Sequence, residues 1–591
     1  MVGNRAQVPL LDRVFPFLPV FRDYSAEKAR RDFVAGLTVA LFTIPQAMAY
    51  ALIAGFPPAA GIFTAVVASI LGAAFGSSEF LINGPTNAIA AMIASNIALL
   101  ASQGDPHKLV VLLTLMIGVS QCIVSLFKAG NLTRFVSEPV LTGFTAGAGV
   151  YIAINQLPSA LGIEKKALVT TLGGWTPPSV PIADLARTLA SLAQTNKVAL
   201  GVALATILLV RALQWLEPRF KRRIPAPFFT VVAVSFAAFL LALGEAGPEK
   251  IKLVRDIEPV SRILPKLVWP EATIDQILAM LGPTFAIAML GAVEAIAIGK
   301  SLASRVGHRF DANRQLVGEG ACNIGAALVG GFAASGSFSR TAVNFEAGAL
   351  TRVSCFFSGA LILALVWMFA PAANYIPIAV LAGMLIHIGF KLVNVAKMRL
   401  IMEATRSDKW VLAATFVGVL IFPHLEHALF LGVFLSIGAA LKKAEGFKLK
   451  RLVEDDSGNL IEEDLDLDKC GEVATLDLQG EMFFAAAEDL EHKLKAVLAC
   501  GTKFLVLRLQ QAYNMDMTCA DAIGMVAAQA QKEGGRLILC GVRPGVHNVL
   551  QRARIVDKVG AENIFLAEPT KLGSTHKAIE FANSLNSPRS A

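Results

Sequence analysis

Apolar residues run in long blocks through the first three quarters of the chain and then stop. A helix that crosses a bilayer needs about 20 predominantly apolar residues. Blocks of that kind fall near 33–55, 59–75, 87–100, 110–127, 140–161, 198–216, 227–243, 277–303, 316–332, 341–350, 353–371, 376–390, 410–422 and 425–441. The pattern predicts a polytopic α-helical membrane protein of about 14 spans. Three blocks are short: 87–100, 341–350 and 410–422.

Two of the short blocks have a common lead. The block at 87–100 follows Asn83, Gly84, Pro85 and Thr86, and the block at 341–350 follows Ser335, Gly336, Ser337, Phe338, Ser339 and Arg340. Each lead is small, polar and permissive for the backbone, and each block is third in its half of the series. Discontinuous helices at matching places in two halves mark an inverted-repeat transporter, about 7+7 spans, with its site at mid-membrane. Non-helical backbone survives at that depth only when it is buried in protein or lines a cavity.

After Lys442 the pattern changes. A polar stretch around Glu454, Asp455, Glu462 and Glu463 reads as a linker or hairpin. Strands near 473–478, 504–509 and 536–540 then alternate with helices near 485–499, 519–532 and 546–559, a small α/β domain. The expected organisation is a cytoplasmic N-terminal segment (1–32), a membrane domain (33–442), a linker (443–469) and a soluble domain (470–591).

Composition sharpens this. The chain has 591 residues, 55% hydrophobic and 17% charged, with a net charge of +8 and a mean hydropathy of +0.59. The positive charge does not point to nucleic acid, because it gathers in short loops between apolar blocks. Arg219, Lys221, Arg222 and Arg223 form one cluster, Lys300, Arg305, Arg309 and Arg314 another, and Lys391, Lys397, Arg399, Arg406 and Lys409 a third. With an even number of spans all fall on the side of both termini, which the positive-inside rule makes cytoplasmic. The expected location is the cell membrane, crossed many times. No cleavable signal peptide is evident. The cysteines, Cys122, Cys322, Cys355, Cys470, Cys500, Cys519 and Cys540, have no metal or disulfide spacing.

Candidate chemistry sits inside the spans. Pro45 weakens the first helix at mid-membrane, and Gln46 and Tyr50 follow it one turn apart on one face. The alternative for Gln46 is repair of the backbone that Pro45 frees. Helix starts near Thr86 and Arg340 would present unpaired N–H groups and partial positive charge to an anion. Arg340 would add a full charge, and Ser337 and Ser339 hydroxyls. Glu294 lies in the longest apolar block and reads as the most deeply set carboxylate. An ion there costs roughly 2.5–3.5 kcal/mol, so it either carries a proton or is paired, Arg340 being the candidate. Its helical neighbours Leu290, Gly291, Ala297 and Ile298 offer no side-chain oxygen, which favours a proton over sodium. His424, Glu426 and His427 look metal-like but fall at a turn and read as polar turn residues. Thr518 opens a helix in the soluble domain, where it caps or accepts a phosphate, capping being favoured. No nucleophile–base pair, cofactor motif or metal cluster appears, so an enzyme is not expected.

With these residues the chain resembles the SulP anion-transporter family, the sulfate-permease type. The resemblance rests on Pro45, Gln46, Ala49 and Tyr50, on Gly84 and Pro85, on the run from Glu294 to Gly299, and on Asp311, Asn313, Asn323 and Ile324. The run from Ser337 to Ala342 completes it. The C-terminal part resembles a STAS domain, and Thr518 matches the position phosphorylated in anti-sigma-factor antagonists of that fold. The resemblance implies 7+7 inverted repeats, a core moving against a gate, and a homodimer. It also implies substrate near Gln46, Tyr50, Thr86, Ser339 and Arg340, with a coupling carboxylate at Glu294. Two departures stand out. Arg314 and Gln315 replace a common Gln-Glu pair, and a small Thr86 stands where some members carry Phe.

The expected function is secondary active transport of a small oxyanion, sulfate favoured, with bicarbonate and dicarboxylates open. Proton symport is favoured over exchange and over a passive channel. A membrane anion sensor signalling through the soluble domain is the reading from another class.

Overall fold

The computed structural model describes residues 17–128, 130, 136–163, 180–220, 225–244, 250–260, 267–444, 447–455, 459–469, 471–570 and 572–586. The basic residues Lys221, Arg222 and Arg223, Cys470 and the first half of the expected N-terminal segment lie outside them. The chain forms two compact units, residues 1–436 and 437–591.

The first unit is helical. Its first half holds α1 (Ala26–Ile53), α2 (Pro58–Phe75), α3 (Asn87–Gln103), α4 (Pro106–Leu126), α5 (Glu138–Ala160), α6 (Pro181–Ala190), α7 (Lys197–Phe220) and α8 (Ala226–Leu240). Its second half holds α9 (Ile274–Val306), α10 (Ala312–Leu328), α11 (Phe338–Glu346), α12 (Val353–Ala373), α13 (Ile378–Leu392), α14 (Val395–Ala404) and α15 (Arg406–Ile421). The last helix, α16 (Leu425–Ala444), runs on into the second unit. Among the described residues, nine helices are long and apolar enough to cross a membrane. Every apolar block of the sequence carries a helix. Two helices, α6 and α14, are additional, because at ten residues each they are too short to register as spans.

Local chemistry sets the ends. Ser25 caps α1 through the Lys28 amide, Asp105 caps α4, and Asp311 caps α10 by accepting from the Asn313 and Arg314 amides. Thr273 and Gln276 form a capping box on α9. Packing then sorts the helices into two groups. In one, α10 lies on α4 and α2, and α12 lies on α1 and α2. In the other, α13 lies on α5 and α7, and α15 lies on α5. Glycine permits the closest approaches: a Cβ on Gly61 of α2 would stand 2.0 Å from the Ala47 carbonyl oxygen of α1. Large apolar side chains on α7 and α8, among them Leu208, Trp215, Phe236 and Leu240, face outward. That is costly in water and favourable in lipid.

Two short strands interrupt the helical pattern. β1 (Asn83–Gly84) leads into α3 and β2 (Ser335–Gly336) into α11. They pair antiparallel, Asn83 with Gly336 and Gly84 with Ser335. The backbone of both leads is thus satisfied inside protein, as non-helical backbone at that depth requires.

The second unit is a six-stranded sheet in the order β4-β3-β5-β6-β7-β8, from β3 (Lys448–Glu454), β4 (Leu460–Asp464), β5 (Val473–Glu481), β6 (Phe504–Tyr513), β7 (Arg536–Val542) and β8 (Ile564–Leu566). The strands β5 to β8 are parallel, and β3 joins β4 and β5 antiparallel. The segment 443–469, expected as a linker, therefore contributes a hairpin to the sheet edge. Alternation explains the layers. Leu505, Leu507 and Leu509 join the core with α17 (Phe484–Ala499) and α18 (Met517–Lys532), and Phe504 and Val506 face the last helix (Gly573–Asn586). Asp477 and Arg508 are register partners and form a buried ion pair at 2.8 Å.

Candidate anion site

The site is built where β1 and β2 cross. Asn323 of α10 fixes β2: its Oδ1 accepts from the Ala334 amide at 2.8 Å and its Nδ2 donates to the Ala334 carbonyl at 3.1 Å. Gln121 of α4 accepts from the same Nδ2 at 3.0 Å. Across the crossing, the Ser337 amide donates to the Ile82 carbonyl, and the Ile82 amide donates to Thr341 Oγ1, both at 3.0 Å. Ser69 donates to the Asn83 carbonyl at 3.1 Å. The helices α3 and α11 therefore start from a locked point.

Several polar atoms gather there without protein partners. Arg340, in the first turn of α11, is 0% exposed, and among the described residues none of its three guanidinium nitrogens has a hydrogen-bond partner. A Cβ on Gly84 would stand 3.2 Å from both Arg340 Nη1 and Nη2, so the guanidinium lies against β1, just ahead of Thr86. Thr86 is the N-cap residue of α3, yet its hydroxyl caps nothing, and Thr86 Oγ1 and Asn87 Nδ2 are buried without partners. Gln46 is buried and its Oε1 is likewise unpartnered. No hydrogen bond joins its side chain to the backbone that Pro45 frees, so that alternative finds no support. Tyr50 is buried within the fields of both Arg340 and Glu294. A buried unsatisfied polar group costs about 1–3 kcal/mol, more when charged. A buried guanidinium, a helix start and free donors are together chemically suited to an anion.

The structure departs from expectation at three residues. Ser339 does not join the buried group: it is exposed, shares a hydrogen bond with Ser337 at 3.3 Å and lines a separate cavity of about 350 Å³ with Phe42, Gln214, Glu217 and Lys391. Its helical neighbour Arg340 turns inward, since adjacent helix positions face different ways. Glu294 is not paired with Arg340 among the described residues; it accepts from Ser335 Oγ of β2 at 3.0 Å. A side-chain oxygen thus reaches it from another element, which neighbours on its own helix could not reveal. By exposure a second carboxyl is buried more fully: Glu319 is 0% exposed, whereas Glu294 is partly buried. In the second unit Thr518 is not the helix cap. Asp516 caps α18 by accepting from the Cys519 amide at 3.0 Å, and Thr518 is left exposed.

Glu319 was missed by reading the sequence, although a charge inside an apolar block is a signal in itself. It accepts from Asn83 Nδ2 at 2.5 Å and from Gln315 Nε2 at 3.0 Å. Gln315 in turn accepts from the Ser77 and Ser78 amides, 3.1 Å each. His424, Glu426 and His427 hold a turn, as expected. Buried Glu426 accepts from Asn96 Nδ2 at 2.9 Å and His424 Nδ1 lies 3.1 Å from the Ser95 carbonyl, tying the turn to α3. No group able to hold a metal ion occurs among the described residues.

Comparison with known proteins gives a consistent result. Residues 30–415 match the sulfate permease family and residues 464–570 match the STAS domain. Sulfate transporter 2.2 of Arabidopsis thaliana is 28% identical over 593 residues, covering 94% of this chain and 84% of its own. Sulfate transporter 1.2 of the same plant is 26% identical over 592 residues, covering 94% and 86%. Among solved structures, the murine Solute Carrier 26 family member A9 anion transporter in the inward-facing state superposes with a TM-score of 0.85 at 18% identity, covering 99% of this chain and 97% of that one. The transmembrane domain of the cyanobacterial bicarbonate transporter BicA gives 0.58 at 23% identity, covering 70% and 99%.

Proposed function

The chain belongs to the sulfate permease family, and on that premise we propose that it is a secondary active transporter of small oxyanions, sulfate favoured, driven by protons. One observation carries the reading: the wholly buried Arg340 guanidinium, without a protein partner, set against the start of the other half-helix. The related sulfate transporters named above favour sulfate. It is a multi-pass membrane protein, with both termini on the cytoplasmic side by the positive-inside rule. Its relatives are transporters, not enzymes.

The helix contacts support 7+7 inverted repeats. Counting α1–α5, α7 and α8 as one repeat and α9–α13, α15 and α16 as the other, the contact of α10 with α4 mirrors that of α2 with α12. Likewise α9 with α4 mirrors α1 with α12, and α15 with α5 mirrors α13 with α7. The extra helices α6 and α14 follow the fifth helix of each repeat. The group around α1, α4, α10 and α12 is the transporting core, and the group around α5, α7, α13 and α15 is the gate.

Coupling runs through Glu294. An inside-negative potential opposes anion entry by about 2.3 kcal/mol per charge per 100 mV, and a proton carried with the anion offsets one charge. Glu294 reaches the binding ladder through Ser335, so protonation and anion occupancy act on one strand pair and favour each other. Radiolabelled sulfate uptake into proteoliposomes, with competing oxyanions and an imposed pH gradient, tests this. Glu294→Gln mimics the protonated form: it retains exchange between equal sulfate pools and accumulates less sulfate than wild type under the same imposed gradient. Accumulation by Glu294→Gln equal to that of wild type would mean that Glu294 carries no coupling proton. The soluble unit serves assembly or regulation, with a homodimer as the assembled form and exposed Thr518 as the regulatory hydroxyl.

A further inference from the structure

The geometry points to Glu319 as a second proton-binding group of the transport cycle, a positioning residue that acts on the anion through Asn83 and the β1–β2 crossing. The inference rests on the reading that an oxyanion binds beside Arg340.

Each of the crossing strands is held by one carboxyl group. Ser335 of β2 donates to Glu294, and Asn83 of β1 donates to Glu319 at 2.5 Å. Asn83 pairs with Gly336, and Gly84, on which the Arg340 guanidinium rests, pairs with Ser335. A change at either carboxyl therefore reaches the half-helix starts through one side chain and one ladder step. Glu319 also lies within the field of Glu294.

Glu319 is built unevenly for a permanent charge. Its Oε1 takes two N–H donors, from Asn83 and Gln315, while the buried Oε2 has no hydrogen-bond partner of good geometry. Asn83 Oδ1 beside it is also buried and unpartnered. An ionised Glu319 leaves a buried charge that meets only neutral N–H groups, those of Asn83, Gln315 and the Gly336 amide, and no cation among its hydrogen-bond partners, which is costly. A proton there removes the charge.

The groups around it make the proton matter to the anion. Glu294 faces it from α9, Cys122 lies on α4 opposite Gly320, Cys322 is on its own helix and Arg314 is nearer that helix's start; α2, β1 and β2 bring no titratable side chain. Thiols are neutral at ordinary pH, and Cys322 donates to the Ala68 carbonyl. With both carboxyls ionised, Arg340 is outweighed and an incoming anion meets like charge. With both protonated, Arg340 is the charge that the anion meets. A dianion moving with one proton on each carboxyl carries no net charge, so the device suits sulfate better than a monovalent anion.

Sulfate binding to the purified full-length protein in detergent, followed by calorimetry across pH and by a pH-indicator dye in weak buffer, tests this. Wild type takes up about two protons per sulfate, and Glu294→Gln still takes up about one. In Glu294→Gln the Kd still falls as pH falls, on the order of tenfold per pH unit in the titrating range. Glu294→Gln with Glu319→Gln binds sulfate with no proton uptake and a Kd flat with pH. Flat binding without proton uptake in Glu294→Gln overturns the inference, and that variant leaves Glu319 intact should the double variant not fold. Proton uptake that persists in a folded double variant overturns it too. Absence of sulfate binding by wild type would overturn the anion reading itself, a separate result.

Discussion

At the scale of single residues, Arg340 is the group whose environment is hardest to explain without a ligand. Among the described residues it is the largest fully buried side chain, and none of its guanidinium nitrogens has a hydrogen-bond partner. A charge-assisted hydrogen bond is worth about 1.5–3 kcal/mol. Arg340→Gln should therefore weaken sulfate binding by roughly 10- to 100-fold, measured by calorimetry, with thermal stability unchanged or raised, because the buried charge is gone. Unchanged affinity would remove Arg340 from the site. Gln46, Tyr50, Thr86, Glu294 and Arg340 stand out in the sequence as candidates because polar residues are rare in apolar blocks. The inward turn of Arg340 and the outward turn of Ser339 could not, since they depend on where a nine-residue helix begins. The part of Glu319 was hidden for a related reason. Its partner Asn83 is 236 positions away in the chain, and only the crossing brings them together.

At the scale of elements, the short third block in each half carries a helix, α3 and α11, and their leads proved to be the paired strands β1 and β2. What the sequence pattern could not supply was their mutual pairing, because each strand has only two residues and no alternation to read. The pairing depends on small residues. A Cβ at position 84 meets the Arg340 guanidinium at 3.2 Å, tighter than ordinary contact. Gly84→Ala should push the guanidinium aside by a few tenths of an ångström and weaken sulfate binding by about tenfold, while the protein stays folded. Equal affinity in folded Gly84→Ala would mean that the guanidinium does not touch the anion from this position.

At the scale of the whole molecule, composition drew the division into a membrane part and a soluble part, and the two compact units follow it with the change falling inside the last long helix. The hairpin of β3 and β4 was harder to see, because acidic residues crowd it and its edge strand is almost wholly exposed. The soluble unit has its own core and a buried Asp477–Arg508 pair, and no part of it is needed to build the Arg340 site. Removing residues from about 448 onward should lower dimer content or surface expression and leave the sulfate Kd within about twofold. A large change in Kd with dimer and expression intact would give the soluble unit a direct part in binding. The central claim is the place of the anion, and selenate locates it most directly. Selenate stands in for sulfate, and its selenium is identified by anomalous scattering in a crystal of the full-length protein. The account predicts a single strong selenium peak between the Arg340 guanidinium and the start of α3 at Thr86, and selenium bound only elsewhere, on the soluble unit for example, would contradict it.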